Sequence, residues 1–304
     1  MASLLKLDVL PRTSFDFTIT NAHAECPRRA LYEYVFNRRM FEEGPALKWG
    51  SAYHTYRELL ERGLKGGEAM AGVHKRLTER LCEMWEEPDG EGKHGWRTKG
   101  RMADMFEEAR QRVEDEAALG ELEVIATEMP FAIRLPTGLV WSGKLDQLVR
   151  WRGALWVRDF KTTSRMGKTY FNGYEIDHQI TGYHWAAEKL SGEPVKGIIV
   201  EAMYNTLRQG PEMASRHFMR NESQQLAWMA SVTKECEDFQ RNFGQLEELG
   251  VHAFPQRTTA CKNWGGCGWL PACEMGGNAA VQRFIAGNTE ERRWDPLELE
   301  ERVA

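Results

Sequence analysis

"GKLDQLVRWRGALWVRDFKTTS" (residues 143–164) contains two short apolar runs with Arg152–Gly153 between them, a pattern that predicts two strands reversing through a tight turn. Residues two apart in a strand share a face, so Asp159 and Lys161 project together while Arg158 and Phe160 point the other way. Asp146 ends the apolar run of the first strand, and Gly143 allows another backbone to approach closely. Pairing of the two strands as a hairpin would set Asp146 and Asp159 side by side. Two such carboxylates suit a hard divalent cation, Mg²⁺ or Mn²⁺, which takes oxygen ligands and keeps several waters. A lysine beside that ion can orient or help deprotonate a water, and the ion neutralises charge on a phosphate in the transition state. Phosphodiester hydrolysis is the chemistry this combination performs. Taken alone, Asp-x-Lys also describes a surface ion pair on an edge strand, so the flanking motifs carry the distinction.

Upstream of this hairpin the pattern is helical. Helices are predicted over 22–43, from Gly50 through "SAYHTYRELLERG", over 67–87 and over 97–118; "EPDGEGKHG" interrupts them as a loop at 88–96. Strands are expected at 121–135, 138–151 and 154–163. A helix at 175–192, strands at "GIIVEAMYN" and "SRHFMR", and a helix at 222–249 follow. Helices, a three-strand meander, then helix and strand define an α/β or α+β core wrapped in helices. The charged end, "TEERRWDPLELEERVA", lacks an apolar face and is expected to be a flexible tail or a short docking helix.

With 304 residues, 42% of them hydrophobic, the chain can bury a substantial core. A net charge of −5 excludes a protein that coats nucleic acid over its whole surface and restricts any polyanion site to a patch. The N-terminus does not read as a secretory signal, and no stretch is apolar for long enough to span a membrane, so a cytoplasmic location is expected, in a bacterium or a phage-infected host. No Gly-rich phosphate loop for ATP is present in the sequence, so unwinding of a duplex would need a helicase partner.

The motifs, taken in order, are Gly50 and His54 on a helix, Gly143 and Asp146 on a strand, Asp159-Phe160-Lys161-Thr162 on the next, and Gln179 and Tyr183 on a following helix. Together they resemble the RecB-like branch of the PD-(D/E)XK nuclease superfamily, which includes AddB-type, CRISPR-adaptation and phage exonucleases. The resemblance spans about residues 14–275. It implies a restriction-endonuclease-like core, a central mixed sheet flanked by helices. It also implies that Asp146, Asp159 and His54 ligate Mg²⁺ or Mn²⁺ with the Phe160 carbonyl, that Lys161 positions or activates water, and that Gln179 and Tyr183 steady the lysine or contact DNA. Glu128, in "ATEMPF", fits a supporting acid of the family and equally fits an exposed strand glutamate; Glu58 is a weaker candidate of the same kind. His54 read by itself also fits a hydrogen-bonded core histidine.

Four cysteines stand apart from the isolated Cys82 and Cys236: Cys26, and the cluster Cys261, Cys267 and Cys273. By the resemblance they would ligate a [4Fe-4S] cluster tying the two ends of the domain together; four thiolates can equally hold structural Zn²⁺ or stay unligated. The gap between Cys261 and Cys267 is wider than the common family spacing. The implied organisation is an N-terminal segment (1–49), a nuclease core (50–250) with a helical insertion at about 65–118, a cysteine region (251–287) and a tail (288–304). Basic residues at Arg28–Arg29, Arg38–Arg39, Lys93–Arg101 and Arg150–Lys168, interleaved with Trp96, Trp151 and Tyr170, would suit single-stranded DNA. The expected function is a metal-dependent exonuclease on DNA ends or single strands in recombination, repair or phage replication. The alternative is a catalytically silent DNA-binding subunit working with a recombinase, annealing protein or integrase.

Overall fold

The computed structural model describes residues 12–41, 44–88, 94–206, 208–276 and 278–293, except the side chains of 263–265. Along the chain run β1 (Ser14–Phe15), α1 (Phe17–Glu25), α2 (Pro27–Ala30), β2 (Arg38–Met40), α3 (Pro45–Lys65), α4 (Met70–Met84) and α5 (Lys99–Leu119). They are followed by β3 (Leu122–Arg134), β4 (Val140–Trp151), β5 (Ala154–Thr163), α6 (His178–Ser191), β6 (Val195–Tyr204) and β7 (Glu212–Phe218). The last elements are α7 (Glu222–Gly244), α8 (Leu246–Leu249), α9 (Leu270–Met275), α10 (Asn278–Asn288) and β8 (Thr289–Glu291). The chain divides into two compact units, one formed by residues 12–41, 132–143 and 226–293, the other by 44–131 and 144–225.

In the second unit a mixed sheet has the order β4-β5-β6-β7, with β3 also paired to β4. β4 and β5 are antiparallel, β5 and β6 parallel, and β6 and β7 antiparallel. The register of the β4–β5 hairpin comes from its turn: Trp151 pairs with Ala154, and both residues between them take positive φ, 50° at Arg152 and 78° at Gly153. Such a two-residue turn matches the right-handed twist of its strands. One face of the sheet carries the main apolar core, where α3 (Trp49, Tyr53, Tyr56, Leu60), α4 (Val73, Leu77, Leu81) and α5 (Met102, Phe106, Ala109) meet Phe160 and Met203. These residues recur at helical spacing, so each helix buries a single stripe. The segment expected as an insertion therefore supplies much of this core. Gly50 lets α3 approach β5, since a Cβ there would lie 3.2 Å from Thr162 Oγ1. α6 packs on β5 and β6, its N-terminus capped by Asp177, which accepts from Ile180 N at 2.9 Å.

In the first unit the single helix expected over 22–43 is replaced by α1, α2, a π-helical turn at Leu31–Val35 and β2. Asp16 starts α1 early by accepting from Ile19 N at 2.8 Å, and Cys26 is extended (φ −159°), which stops the helix before Pro27 begins the next. β1 pairs in parallel with the first residues of β4, Ser14 with Val140 and Phe15 with Trp141. The tail expected from residue 288 onward instead contributes β8, antiparallel to β2; its end, 294–304, lies outside the described residues. Residues 89–93 of the expected 88–96 loop also lie outside them.

Candidate active site

Extending the hairpin register one residue beyond Gln147↔Arg158 sets Asp146 opposite Asp159, as the sequence pattern requires. The backbone N–H of Phe160 donates to Asp146 Oδ2 at 2.7 Å, which fixes that carboxylate against β5. His54 reaches the same oxygen from α3, with Nδ1 3.5 Å away. Glu128 completes the group: one ligand atom from each of His54, Glu128 and Asp146 lies within 4.8 Å of the others. Its placement follows from a break in β3. Glu128 takes φ 48°, and the less exposed positions change phase there, from even-numbered Leu122, Val124 and Ala126 before it to odd-numbered Phe131 and Ile133 after it. The carboxylate is thereby buried and meets Lys144 Nζ at 2.5 Å.

Asp159 stands beside this group and is held differently. Lys161 Nζ lies 3.0 Å from its Oδ1 and 2.8 Å from its Oδ2, and donates also to Gln179 Oε1 at 2.9 Å. Gln179 Nε2 in turn donates to Tyr183 Oη at 3.0 Å, and the Tyr183 ring meets Phe131 edge-on at 6.3 Å. Gln179 and Tyr183 are one helical turn apart and act from one face of α6. Phe160 lies on the other side of the strand, beneath the Arg57 guanidinium 4.3 Å away.

The electrostatics follow from burying acids next to one another. Burial raises the pKa of Asp159 to about 6, and neighbouring Asp146 adds to this against the opposing Lys161. For Asp146 burial also opposes ionisation, but His54, Lys161 and the Phe160 amide outweigh it and hold the carboxyl below its ordinary value. Burial disfavours the His54 imidazolium, yet the Asp146 carboxylate prevails and raises its pKa. Lys161 is likewise held charged, its burial outweighed by Asp159 and Asp146. One imidazole with converging carboxylates is a donor set suited to Mn²⁺ or Mg²⁺. A divalent cation would also relieve the repulsion between buried Asp146 and Asp159.

Relative to the expected ligands, the geometry brings His54 and Asp146 together with Glu128, while Lys161 engages both oxygens of Asp159. Glu58 turns away to pair with Arg62 at 2.6 Å. The weight of Glu128 was hidden in the sequence because regular alternation along β3 does not announce a positive-φ residue; the neighbouring Pro130 is the only local cue to an interrupted strand. Several basic residues expected to face nucleic acid are otherwise engaged: Arg28 is buried and donates to Phe254 O at 2.8 Å, Arg39 pairs with Glu290, and Arg158 is buried among carboxylates. Trp96 packs on Trp49, and Trp151 stacks on His217 at 4.7 Å.

No cluster is shown at the expected four cysteines: all six cysteines are without disulfide bonds, and among the described residues no three sulfurs lie within 4.8 Å of one another, as a single-ion thiolate site would need. Cys26, Cys261, Cys267 and Cys273 all belong to the first unit. Burial raises the Cys267 pKa, with Cys261 and Cys26 adding, and burial raises that of Cys273, with Cys26 again adding. No helix of the described residues is long and apolar enough to cross a membrane.

Residues 17–274 match the PD-(D/E)XK nuclease superfamily. Among solved structures, a candidate exonuclease from Eubacterium rectale is similar at 14% identity and a TM-score of 0.43, covering 76% of this chain and 81% of its own. The protein SSO0001 is similar at 12% identity and a TM-score of 0.33, covering 79% of this chain and 82% of its own. No curated protein matches the chain.

Proposed function

Because the chain belongs to the PD-(D/E)XK nuclease superfamily, we propose that it is a metal-dependent deoxyribonuclease, working as an exonuclease on DNA ends or single strands. The observation that carries this reading is the joining of two arrangements on one strand pair: the His54–Glu128–Asp146 group and the relay Asp159–Lys161–Gln179–Tyr183. His54, Glu128, Asp146 and Asp159 would hold the ion, with the Phe160 carbonyl as a further donor. When bound, the ion supplies positive charge at the phosphate and makes a water acidic. Lys161 offers an ammonium already aimed by Asp159 and Gln179, so it can hydrogen-bond the attacking water or a phosphate oxygen without first being ordered. Tyr183 fixes which way the Gln179 amide faces, and through it the lysine. Asp146, tied to the Phe160 amide, keeps its carboxylate in place whether or not substrate is present.

Within the same proposal, Cys26, Cys261, Cys267 and Cys273 ligate a structural [4Fe-4S] cluster or Zn²⁺. No step of cleavage runs through it. Iron, sulfide and zinc content of protein purified without oxygen, compared with Cys26→Ser, tests this part separately. The central test is degradation of end-labelled single- and double-stranded DNA in Mg²⁺, Mn²⁺ or EDTA. Cleavage that needs the metal and is lost in both Asp159→Ala and Lys161→Ala supports the proposal. Folded wild-type protein that binds DNA and never cuts it in either metal overturns it.

A further inference from the structure

Between β5 and α6 lies a short 3₁₀ helix, Tyr170–Glu175, in which three of six residues are aromatic. Tyr170, Phe171 and Tyr174 gather into one cluster, with ring centroids 5.0 Å apart for Tyr170–Phe171 and 5.8 Å for Tyr170–Tyr174, and the two tyrosine hydroxyls 3.2 Å apart. None of the three is buried, although aromatic side chains of this size usually form core. The next residue, Ile176, is 76% exposed. A cluster of rings left half open on a surface calls for an explanation.

Its position supplies one. In the sheet Asp159 pairs with Val200 and Val200 with Arg216, so Arg216 projects from the same face as Asp159, two strands away. Arg216 donates to Asn172 Oδ1 at 3.2 Å and Glu175 Oε1 at 2.8 Å, fastening the aromatic turn over that face. Arg220 fastens its end from within, donating to Tyr174 O at 2.6 Å and to Thr181 Oγ1 on α6 at 2.8 Å. The Tyr174 ring lies 6.0 Å from that of Phe218, two residues along β7 from Arg216 and so on the same face. Arg165 and Lys168 are exposed on the segment leading into the turn. The rings are therefore fastened on the sheet face that carries Asp159 and Lys161, with cationic side chains at the approach.

Rings that are ordered in advance, half exposed and flanked by cations match what binds unpaired nucleotides: the cations follow phosphates while flat faces stack on bases. A base stacked within a duplex presents no free face to a side chain. Resting on the nuclease reading above, we propose that Tyr170, Phe171 and Tyr174 form a stacking platform for an unpaired base next to the phosphate positioned at Asp159 and Lys161. The platform makes single-stranded DNA, or a frayed end, the preferred substrate.

The test is binding of fluorescent oligonucleotides to the full chain in EDTA, so that cleavage does not intervene. Three ligands are compared: a single strand, the same backbone carrying abasic sites, and a duplex. Wild type is expected to favour the intact single strand over the abasic one by roughly 5- to 100-fold, the range for stacking on one base. Phe171→Ala and Tyr170→Ala should abolish that preference while Phe171→Trp keeps it; Phe171→Leu, which retains apolar bulk without a π face, should behave like alanine. Equal wild-type affinity for intact and abasic strands, no binding of single strands, or full preference in Phe171→Leu would overturn the platform. Metal-dependent cleavage measured in parallel separates the two proposals. Cutting that is lost in Asp159→Ala while wild type ignores the bases leaves the nuclease standing and removes the platform.

Discussion

Beneath the catalytic strand, Arg57 (0% exposed), Arg158 (1%) and Glu201 (1%) share one buried ionic network, and Glu201→Gln tests what it contributes. Glu201 Oε1 meets Arg57 Nη1 at 3.0 Å, while its Oε2 meets Arg158. Arg158 has a second acid, Glu116, at 2.7 Å. Neutralising Glu201 leaves the buried Arg57 guanidinium without its carboxylate partner and Arg158 with Glu116 alone. Removing one partner of a buried pair costs about 3–5 kcal/mol because the other charge stays desolvated. The near-isosteric glutamine adds little cavity cost. Arg57→Met should cost clearly less, about 1–2 kcal/mol, because Glu201 keeps Arg158 as a charged partner while it loses Arg57, and the contact with Phe160 goes too. For a unit of this size the glutamine variant would lower Tm by about 10 °C. Its pH dependence has a fixed sign. Burial opposes ionisation of Glu201, but Arg158 and Arg57 prevail and depress its folded pKa, so its contribution is complete above the ordinary carboxylate value and fades as pH falls through the folded one. The difference between wild type and Glu201→Gln in urea denaturation should thus be constant around neutrality and shrink only in acid. Equal costs for the two variants, or a Glu201→Gln cost under about 1 kcal/mol, would refute the reasoning.

Three further outcomes are expected. Gln179→Ala removes an acceptor from a charged lysine and should lower the cleavage rate about 10- to 100-fold in single-turnover assays with little change in Tm, while Gln179→Glu keeps an acceptor and recovers part of the loss. Glu128→Gln should raise the Mn²⁺ concentration needed for half-maximal cleavage about 10- to 100-fold, read from a metal titration. Gly197→Ala would push a Cβ to 2.4 Å from Phe218 O and 2.9 Å from Trp156, so thermal unfolding should show a loss of about 1–3 kcal/mol through displacement of β7.

What the sequence made legible was periodic or local. The alternation around Asp159 and the turn at Arg152–Gly153 were readable because a two-residue hairpin leaves one register, and that register sets Asp146 against Asp159. Strand β5 was expected at 154–163 and runs from Ala154 to Thr163. The first 30 residues of the described chain were harder. There a buried side-chain cap at Asp16 and an extended Cys26 divide one expected helix into several elements. Glu128 was underweighted for a related reason: its backbone conformation is rare outside glycine and follows from the strands and Lys144 around it, not from its own residue type. The basic clusters misled because composition cannot tell a guanidinium on the surface from one buried against Glu116 and Glu201.

That ambiguity bears on why four consecutive residues, Arg158, Asp159, Phe160 and Lys161, can all be charged or bulky in a strand within the core of its unit. The twofold period of the strand sends Arg158 and Phe160 to one face and Asp159 and Lys161 to the other. On the first face the Arg57 and Arg158 guanidiniums are paired with Glu201 and Glu116, and Phe160 lies between guanidiniums and the rings of α3. On the second face three carboxylates, Asp159, Asp146 and Glu128, converge with Lys161, Lys144 and His54, and burial raises the Asp159 pKa. A strand so firmly paired behind can hold several carboxylates close together in front, where their oxygens would engage a divalent cation and Lys161 a phosphate. The prediction for Glu201 therefore has a functional corollary. Loosening the rear face should reduce the precision with which Asp159 and Lys161 are presented, so Glu201→Gln should lower cleavage even at temperatures where it remains fully folded.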